Sequence, residues 1–133
     1  MLFRSDAGIA AVQFESRQRP IIVRAEEYAL EDVVTHVLSN ADRYRPAGTS
    51  IRMALATSGQ VTELRIHNQG PRIAPERLHK VFDYGVSDAA DGGSPHRGQG
   101  LFVARTYMAK MGGTIDAVNV EDGVEFVLRL AVA

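Results

Sequence analysis

The sequence contains no cysteine. That excludes disulfides, thiolate metal sites and a thiol nucleophile, and a cytoplasmic location is expected. There is no charge excess either: 15 Lys and Arg stand against 16 Asp and Glu, for a formal net charge of -1. Without a basic surplus, nucleic acid is not an expected partner, and without an acidic tail neither is a strongly basic protein. Apolar runs are short, so no segment is expected to span a bilayer and no membrane contact is expected. The opening residues, MLFRSDAGIA, lack the long apolar stretch of a signal peptide. No G-x-x-x-x-G-K-[ST] sequence occurs, which rules out a P-loop.

What is present is an ordinary globular composition, 45% hydrophobic and 23% charged over 133 residues. One domain, 1–133, with a real core is expected. Gly8 to Ser16 reads as a strand, and Ile21 to Val23 as a second short strand or the other arm of a hairpin. From Glu26 to Tyr44, Leu30, Val33, Val34, Val37, Leu38 and Ala41 recur at helical spacing, and Pro46, Ala47 and Gly48 stop the pattern. Ile51, Met53 and Leu55 alternate as in a strand, with a turn over Thr57 to Gln60. In Val61 to Asn68, Leu64 and Ile66 share one face, while Glu63, Arg65 and His67 share the other.

Pro75 to Phe82 predicts a short helix, and Ser87 to Gly98, rich in Gly and Pro, a mobile loop. Leu101 to Met111 predicts a second long helix, ended by Gly112-Gly113. Thr114 to Val120 and Val124 to Leu130 read as a final hairpin signalled by Asp122-Gly123. This order predicts an α+β fold, a two-layer α/β sandwich with helices on one face of a mostly antiparallel mixed sheet. It is not the order of a doubly wound fold.

Three features point to chemistry. Asp32, His36, Asn40 and Arg43 form a polar stripe on the first long helix, at spacings of four and three. Asparagine is a mediocre helix former, and its carbonyl oxygen can ligate Mg²⁺. His36 is suited to orienting a water or holding a phosphate, or it is simply a solvated surface histidine. Asn68, in phase with Leu64 and Ile66, points toward the helices and needs a hydrogen-bond partner there. A nucleobase amino group fits that need, and so does a strand-end cap at Gly70. The third feature, His96-Arg97-Gly98-Gln99-Gly100-Leu101, runs directly into a helix. Small residues at such a start let phosphate oxygens approach backbone N–H groups, and Arg97 adds a cation.

In combination these pieces resemble the ATP-binding domain shared by sensor histidine kinases, DNA gyrase, MutL and one class of heat-shock chaperone. The likeness is greatest to the histidine kinase catalytic domain and extends from about Ile21 to Leu130. HVLSNADRYRPAG (36–48) is similar to the family's N-box, IHNQGPRIAPERLHKVFD (66–83) to the next motif plus the F-box with Phe82, and RGQGLFVARTYMAKMGGTI (97–115) to the last glycine box and its helix. Three positions depart from the pattern. Asn68 stands where the family has an adenine-binding aspartate, Arg72 where it has a glycine, and His96 where the last box has its first glycine.

The resemblance implies the Bergerat ATP-binding fold, with ATP and Mg²⁺ as cofactors. It implies Asn40 as the Mg²⁺ ligand and His36, Asn40 and Arg43 as the catalytic set. The implied nucleotide contacts are Asn40, Arg43, Tyr44, Asn68, Gly70, Ile73, Arg97, Gly98, Gly100 and Leu101. It further implies transfer of the γ-phosphoryl group to a histidine on a separate dimerisation domain, in cis or in trans, with a response regulator downstream. The alternatives are a stand-alone serine kinase of the anti-sigma-factor type and a degenerate, non-catalytic interaction module.

Overall fold

The computed structural model describes residues 12–16, 25–83 and 100–132. Five strands form one sheet: β1 (Val12–Ser16), β2 (Ile51–Ser58), β3 (Val61–Gln69), β4 (Thr114–Val120) and β5 (Gly123–Ala131). Their order across the sheet is β1-β2-β3-β5-β4. β1 runs parallel to β2, pairing Val12 with Ile51 and Ser16 with Leu55, and the other three pairings are antiparallel. Two helices, α1 (Glu27–Tyr44) and α2 (Gly100–Lys110), share one apolar core with the sheet. The expected two-layer arrangement is the one found. Parallel neighbours cannot be joined by a tight turn, and the β1–β2 connection contains α1.

The apolar stripe of α1 builds the centre of the core. Val33, Val34, Val37 and Ala41 are fully buried and Leu30 and Leu38 nearly so. Burial of each Val or Leu side chain contributes about 1.5–3 kcal/mol before entropic costs. Against this stripe pack Met53, Leu64, Ile66, Phe126 and Leu128 from the sheet and Ala104 and Met108 from α2. The N-terminus of α1 is capped by the Glu26 carboxylate, which accepts from Ala29 N–H at 2.6 Å and Tyr28 N–H at 3.2 Å. At the other end Arg45 is already extended, as a residue preceding proline prefers. Its guanidinium holds Asp42 at 2.8 Å and the Thr49 carbonyl at 2.6 Å, which fixes the exit toward β2.

α2 closes with a paired set of bonds, Gly113 N–H to Met108 O at 2.8 Å and Gly112 N–H to Ala109 O at 3.0 Å. Gly112 takes the left-handed conformation this ending needs, with φ of 75°.

Two expectations need correction. Pro75 to Phe82 is not an α-helix: a 3₁₀ turn covers Pro75–Arg77, and turns continue to Phe82. The backbone bonds there, from Arg77 to Ala74, Lys80 to Arg77 and Asp83 to Lys80, all span three residues. With Leu78, Val81 and Phe82 as its only apolar residues, the segment anchors to the core at one end, mainly through Phe82, rather than along a helical stripe. The Asp122-Gly123 signal does mark a hairpin, but the turn residues are Glu121 and Asp122. Gly123 opens β5 opposite Gln69, and glycine is required there because a Cβ would run into the Asn68 carbonyl. The expected strand at Ile21–Val23, the loop Ser87–Gly98, Arg97 and Gly98 lie outside the described residues.

Candidate functional site

A cleft of about 300 Å³ opens between the C-terminal half of α1, the segment that leaves β3, and the start of α2. Of the residues singled out from sequence, Asn40, Arg43, Tyr44, Asn68, Ile73 and Leu101 all line it. Each arrives by a different local rule. Asn40 and Arg43 are on the polar side of α1 because the opposite side is consumed by the core. Arg43 lies over the Tyr44 ring, with its guanidinium carbon 4.8 Å from the centroid, and its Nη2 donates to the Tyr44 hydroxyl at 3.2 Å. The two side chains therefore hold one another in place.

Asn68 comes from the helix-facing side of β3, where alternation puts it in line with Leu64 and Ile66, and it is only 2% exposed. Its Nδ2 donates to the Gln69 carbonyl at 2.9 Å, which, among the described residues, leaves Oδ1 as the open acceptor end of the amide. His67, on the opposite face from Asn68, is nearly covered, and its ring pairs with Asp122 at 2.9 Å. This contact holds the Asp122 carboxyl below the usual carboxylate range.

Gly70, Gly100 and His36 shape the cleft without lining it. Gly70 has φ of 134°, and a Cβ there would lie 2.6 Å from the Tyr44 carbonyl oxygen. Only glycine lets the chain leaving β3 pass this close to the C-terminus of α1. At the first residue of α2, Gly100, a Cβ would lie 3.2 Å from His36 Nδ1. The other ring nitrogen, Nε2, is 3.4 Å from Asp32 Oδ2. The α2 N-terminus, whose first N–H groups have no acceptor within the helix and which carries a partial positive charge, thus starts against the polar stripe of α1.

Two cleft residues escaped the sequence reading of charge. Arg72 and Arg77 line it together with Arg43, and among the described residues no carboxylate does. The remaining lining is largely apolar, with Ile73, Val81, Leu101, Val124 and Phe126. Phe82 supports Phe126 edge-on, with centroids 6.1 Å apart. Cationic and apolar side chains lining one cleft suit an anionic ligand with an organic body. Asn119 was also missed. On β4, it accepts from Ile73 N–H at 2.8 Å and donates to the Ile73 carbonyl at 2.6 Å. The available signal was an asparagine inside a strand, a residue depleted there.

Among the described residues, no group of three His, Cys, Asp or Glu gathers to hold a metal. A divalent cation beside Asn40 would take a neutral amide oxygen from the protein and its other ligands from phosphate and water. These are all oxygen donors, the type Mg²⁺ takes together with substrate phosphates, so the residues present fit a nucleotide-bound ion. No helix among the described residues is long and apolar enough to cross a membrane.

Residues 25–133 match the family model described as histidine kinase-, DNA gyrase B-, and HSP90-like ATPase. The sensor protein SrrB of Staphylococcus aureus is 33% identical over 104 residues, covering 76% of this chain and 18% of SrrB. The chain therefore spans less than a fifth of that relative's length. Among solved structures, a mycobacterial sensor histidine kinase, MprB, superimposes with a TM-score of 0.80 at 27% identity, covering 91% of this chain and 84% of that one. The catalytic domain of histidine kinase ThkA, nucleotide-free, has the same fold, with a TM-score of 0.80 at 23% identity and coverage of 92% and 78%. Full-length ShkA in complex with AMPPNP shares it as well, with a TM-score of 0.76 at 23% identity and coverage of 96% and 27%. The chain belongs to the family of histidine kinase-, DNA gyrase B- and HSP90-like ATPases.

Proposed function

We propose that this chain binds Mg-ATP in the cleft between α1 and the segment after β3. It then supplies the γ-phosphoryl group to a histidine on a separate dimerisation domain, with a response regulator as the downstream acceptor. The observation that carries the reading is the cleft lining: among the described residues, three guanidinium groups and no carboxylate, beside the Asn40 and Asn68 amides. Asn40 would hold Mg²⁺ through its carbonyl oxygen. The ion, when bound, neutralises charge on the phosphate oxygens.

Asn68 Oδ1 would accept from the adenine amino group, with Ile73 and Leu101 as apolar walls. Arg43, steadied by Tyr44, would meet the phosphates, and Tyr44 would border the nucleotide. Gly70 lets this wall close on α1. Gly100, with Arg97 and Gly98 ahead of it, would bring backbone N–H groups to the phosphates. His36, oriented by Asp32 and lying against Gly100, would stand at the phosphate end. These roles fit a domain whose work is positioning and charge stabilisation.

The test is phosphotransfer from Mg-ATP, labelled at the γ position, to a histidine-bearing dimerisation domain supplied in trans. Acid-labile, base-stable label on that domain is expected. Acid-stable label on a serine of a partner protein points instead to a serine kinase. A folded chain that neither binds nucleotide nor transfers label is an interaction module.

A further inference from the structure

The segment Pro71 to Ala74 forms a wall of the cleft, and all four of its residues face it. Yet it belongs to no strand or helix. Pro71 has no N–H to offer. Just before the segment, Gly70 N–H reaches the Asp122 carbonyl at 3.1 Å, and at its far end the Ala74 carbonyl accepts from Arg77 N–H at 2.8 Å. Between those points, among the described residues, the chain is held by Asn119, whose amide takes both backbone polar groups of Ile73, at 2.8 Å and 2.6 Å. A primary amide is the neutral side chain that pairs an acceptor with a donor in one plane, as a peptide group does. Asn119 thus supplies, from the edge strand β4, the pairing that a further strand would have given.

We propose that Asn119 is a positioning residue of the nucleotide cleft: it fixes the Pro71–Ala74 wall at the distance from α1 that a bound base requires. The inference depends on the nucleotide reading above. Asn119 is not among the cleft-lining residues and is not part of the buried apolar core, so its effect on a ligand must pass through Ile73. Without the clamp the wall would sample other positions, and binding would have to restore the right one. Apparent affinity then falls by the fraction of time the wall is in place. The phosphate-handling groups on α1 stay as they are, so turnover at saturation should not change.

Asn119→Leu removes both hydrogen bonds at similar volume. Asn119→Asp keeps an oxygen for Ile73 N–H, loses the donor, and sets a carboxylate against the Ile73 carbonyl. Mg-ATP affinity, phosphotransfer KM and kcat, and hydrogen exchange at the Ile73 amide are measured for both variants and the wild type. The expected result for Asn119→Leu is a rise in Kd and KM on the order of tenfold, with unchanged kcat and faster Ile73 exchange. Asn119→Asp should weaken binding in the same direction. If the leucine variant does not fold, the aspartate variant carries the comparison. Wild-type affinity in a folded variant overturns the proposal, as does a fall in kcat with KM unchanged, which a general structural role would give. If the wild type itself binds no Mg-ATP, the functional reading falls instead. Ile73 exchange then judges the clamp alone: equal exchange in wild type and variant overturns it.

Discussion

Asn68 concentrates the chemistry of the base end in one amide. With Nδ2 committed to the Gln69 carbonyl, Oδ1 is left to accept from a ligand, and a purine bearing a 6-amino group satisfies it. A 6-oxo purine presents another acceptor there. Wild-type protein should therefore bind ATP more tightly than ITP, by about 2- to 12-fold, the equivalent of one neutral hydrogen bond of about 0.5–1.5 kcal/mol. Asn68→Ala should bind the two nucleotides nearly alike. Competitive titration of ATP and ITP checks this, and an undiminished preference in Asn68→Ala would show that Asn68 does not read the base. At this scale the sequence was informative where periodicity applies. Asn40 and Arg43 follow from spacing on α1, and Asn68 from alternation along β3. Asn119 was not legible, because its partner Ile73 lies 46 residues away and is met only through backbone atoms. Arg72 sits on irregular chain and Arg77 ends a single 3₁₀ turn, too short for a period to say which way a side chain points.

Between elements, the crossing of the β3 exit over the end of α1 is the junction that makes the cleft. Gly70 has a positive φ and no room for a Cβ beside the Tyr44 carbonyl. Gly70→Ala should lower stability by about 1–3 kcal/mol or more from backbone strain alone, and urea unfolding measures it. An unchanged midpoint and slope would contradict the packing described here. The β4–β5 turn grips the same junction through Asp122, which bonds the His67 ring with its carboxylate and Gly70 N–H with its carbonyl.

Because His67 depresses the Asp122 pKa, the carboxylate's contribution is present above the unfolded-state value, near 3.8, and is lost as pH falls through the lower folded-state value. Thermal melts of wild type and Asp122→Asn should differ near neutral pH, with wild type the more stable, and converge in strong acid. A difference that persists or grows there would contradict the assignment. Helix α1 was legible as an element because its apolar stripe outweighs every competing pattern. The stretch 75–82 was misread because three apolar residues are compatible with a short helix or with successive turns. Only the packing of Phe82 against Phe126 chooses between them.

Across the whole molecule, the sheet has two unlike faces. One builds the core with α1 and α2. The other carries a charge ladder in which Arg65 bridges Glu63 and Glu125, and Arg129 bridges Glu63 at 3.0 Å and Asp116 at 3.1 Å. The hydrogen bonds from Arg65 to Glu125 and Glu63 hold its guanidinium still more firmly protonated. Such exposed pairs add little stability each, but the arginine stems help cover Val127, which is 1% exposed on that face. The hairpins β2–β3 and β4–β5 were legible from their turn signals, but the antiparallel pairing of β3 with β5 was not. The parallel pairing of β1 with β2 was not, since the partners are separated by α1 and no local signal names a distant strand.

The arrangement as a whole sets three arginines, two amides and an apolar wall around one cleft, and the central claim is that this cleft is filled by Mg-ATP. Calorimetric titration of wild type, Asn40→Ala and Asn40→Asp with Mg-ATP tests it most directly, with circular dichroism as the folding control. Asn40 lies outside the buried core, so both variants should stay folded, with stability within about 0.5 kcal/mol of wild type. The account predicts one nucleotide per wild-type chain and sharply weaker binding in both folded variants. No binding by folded wild type, or equal affinity in all three proteins, would contradict it.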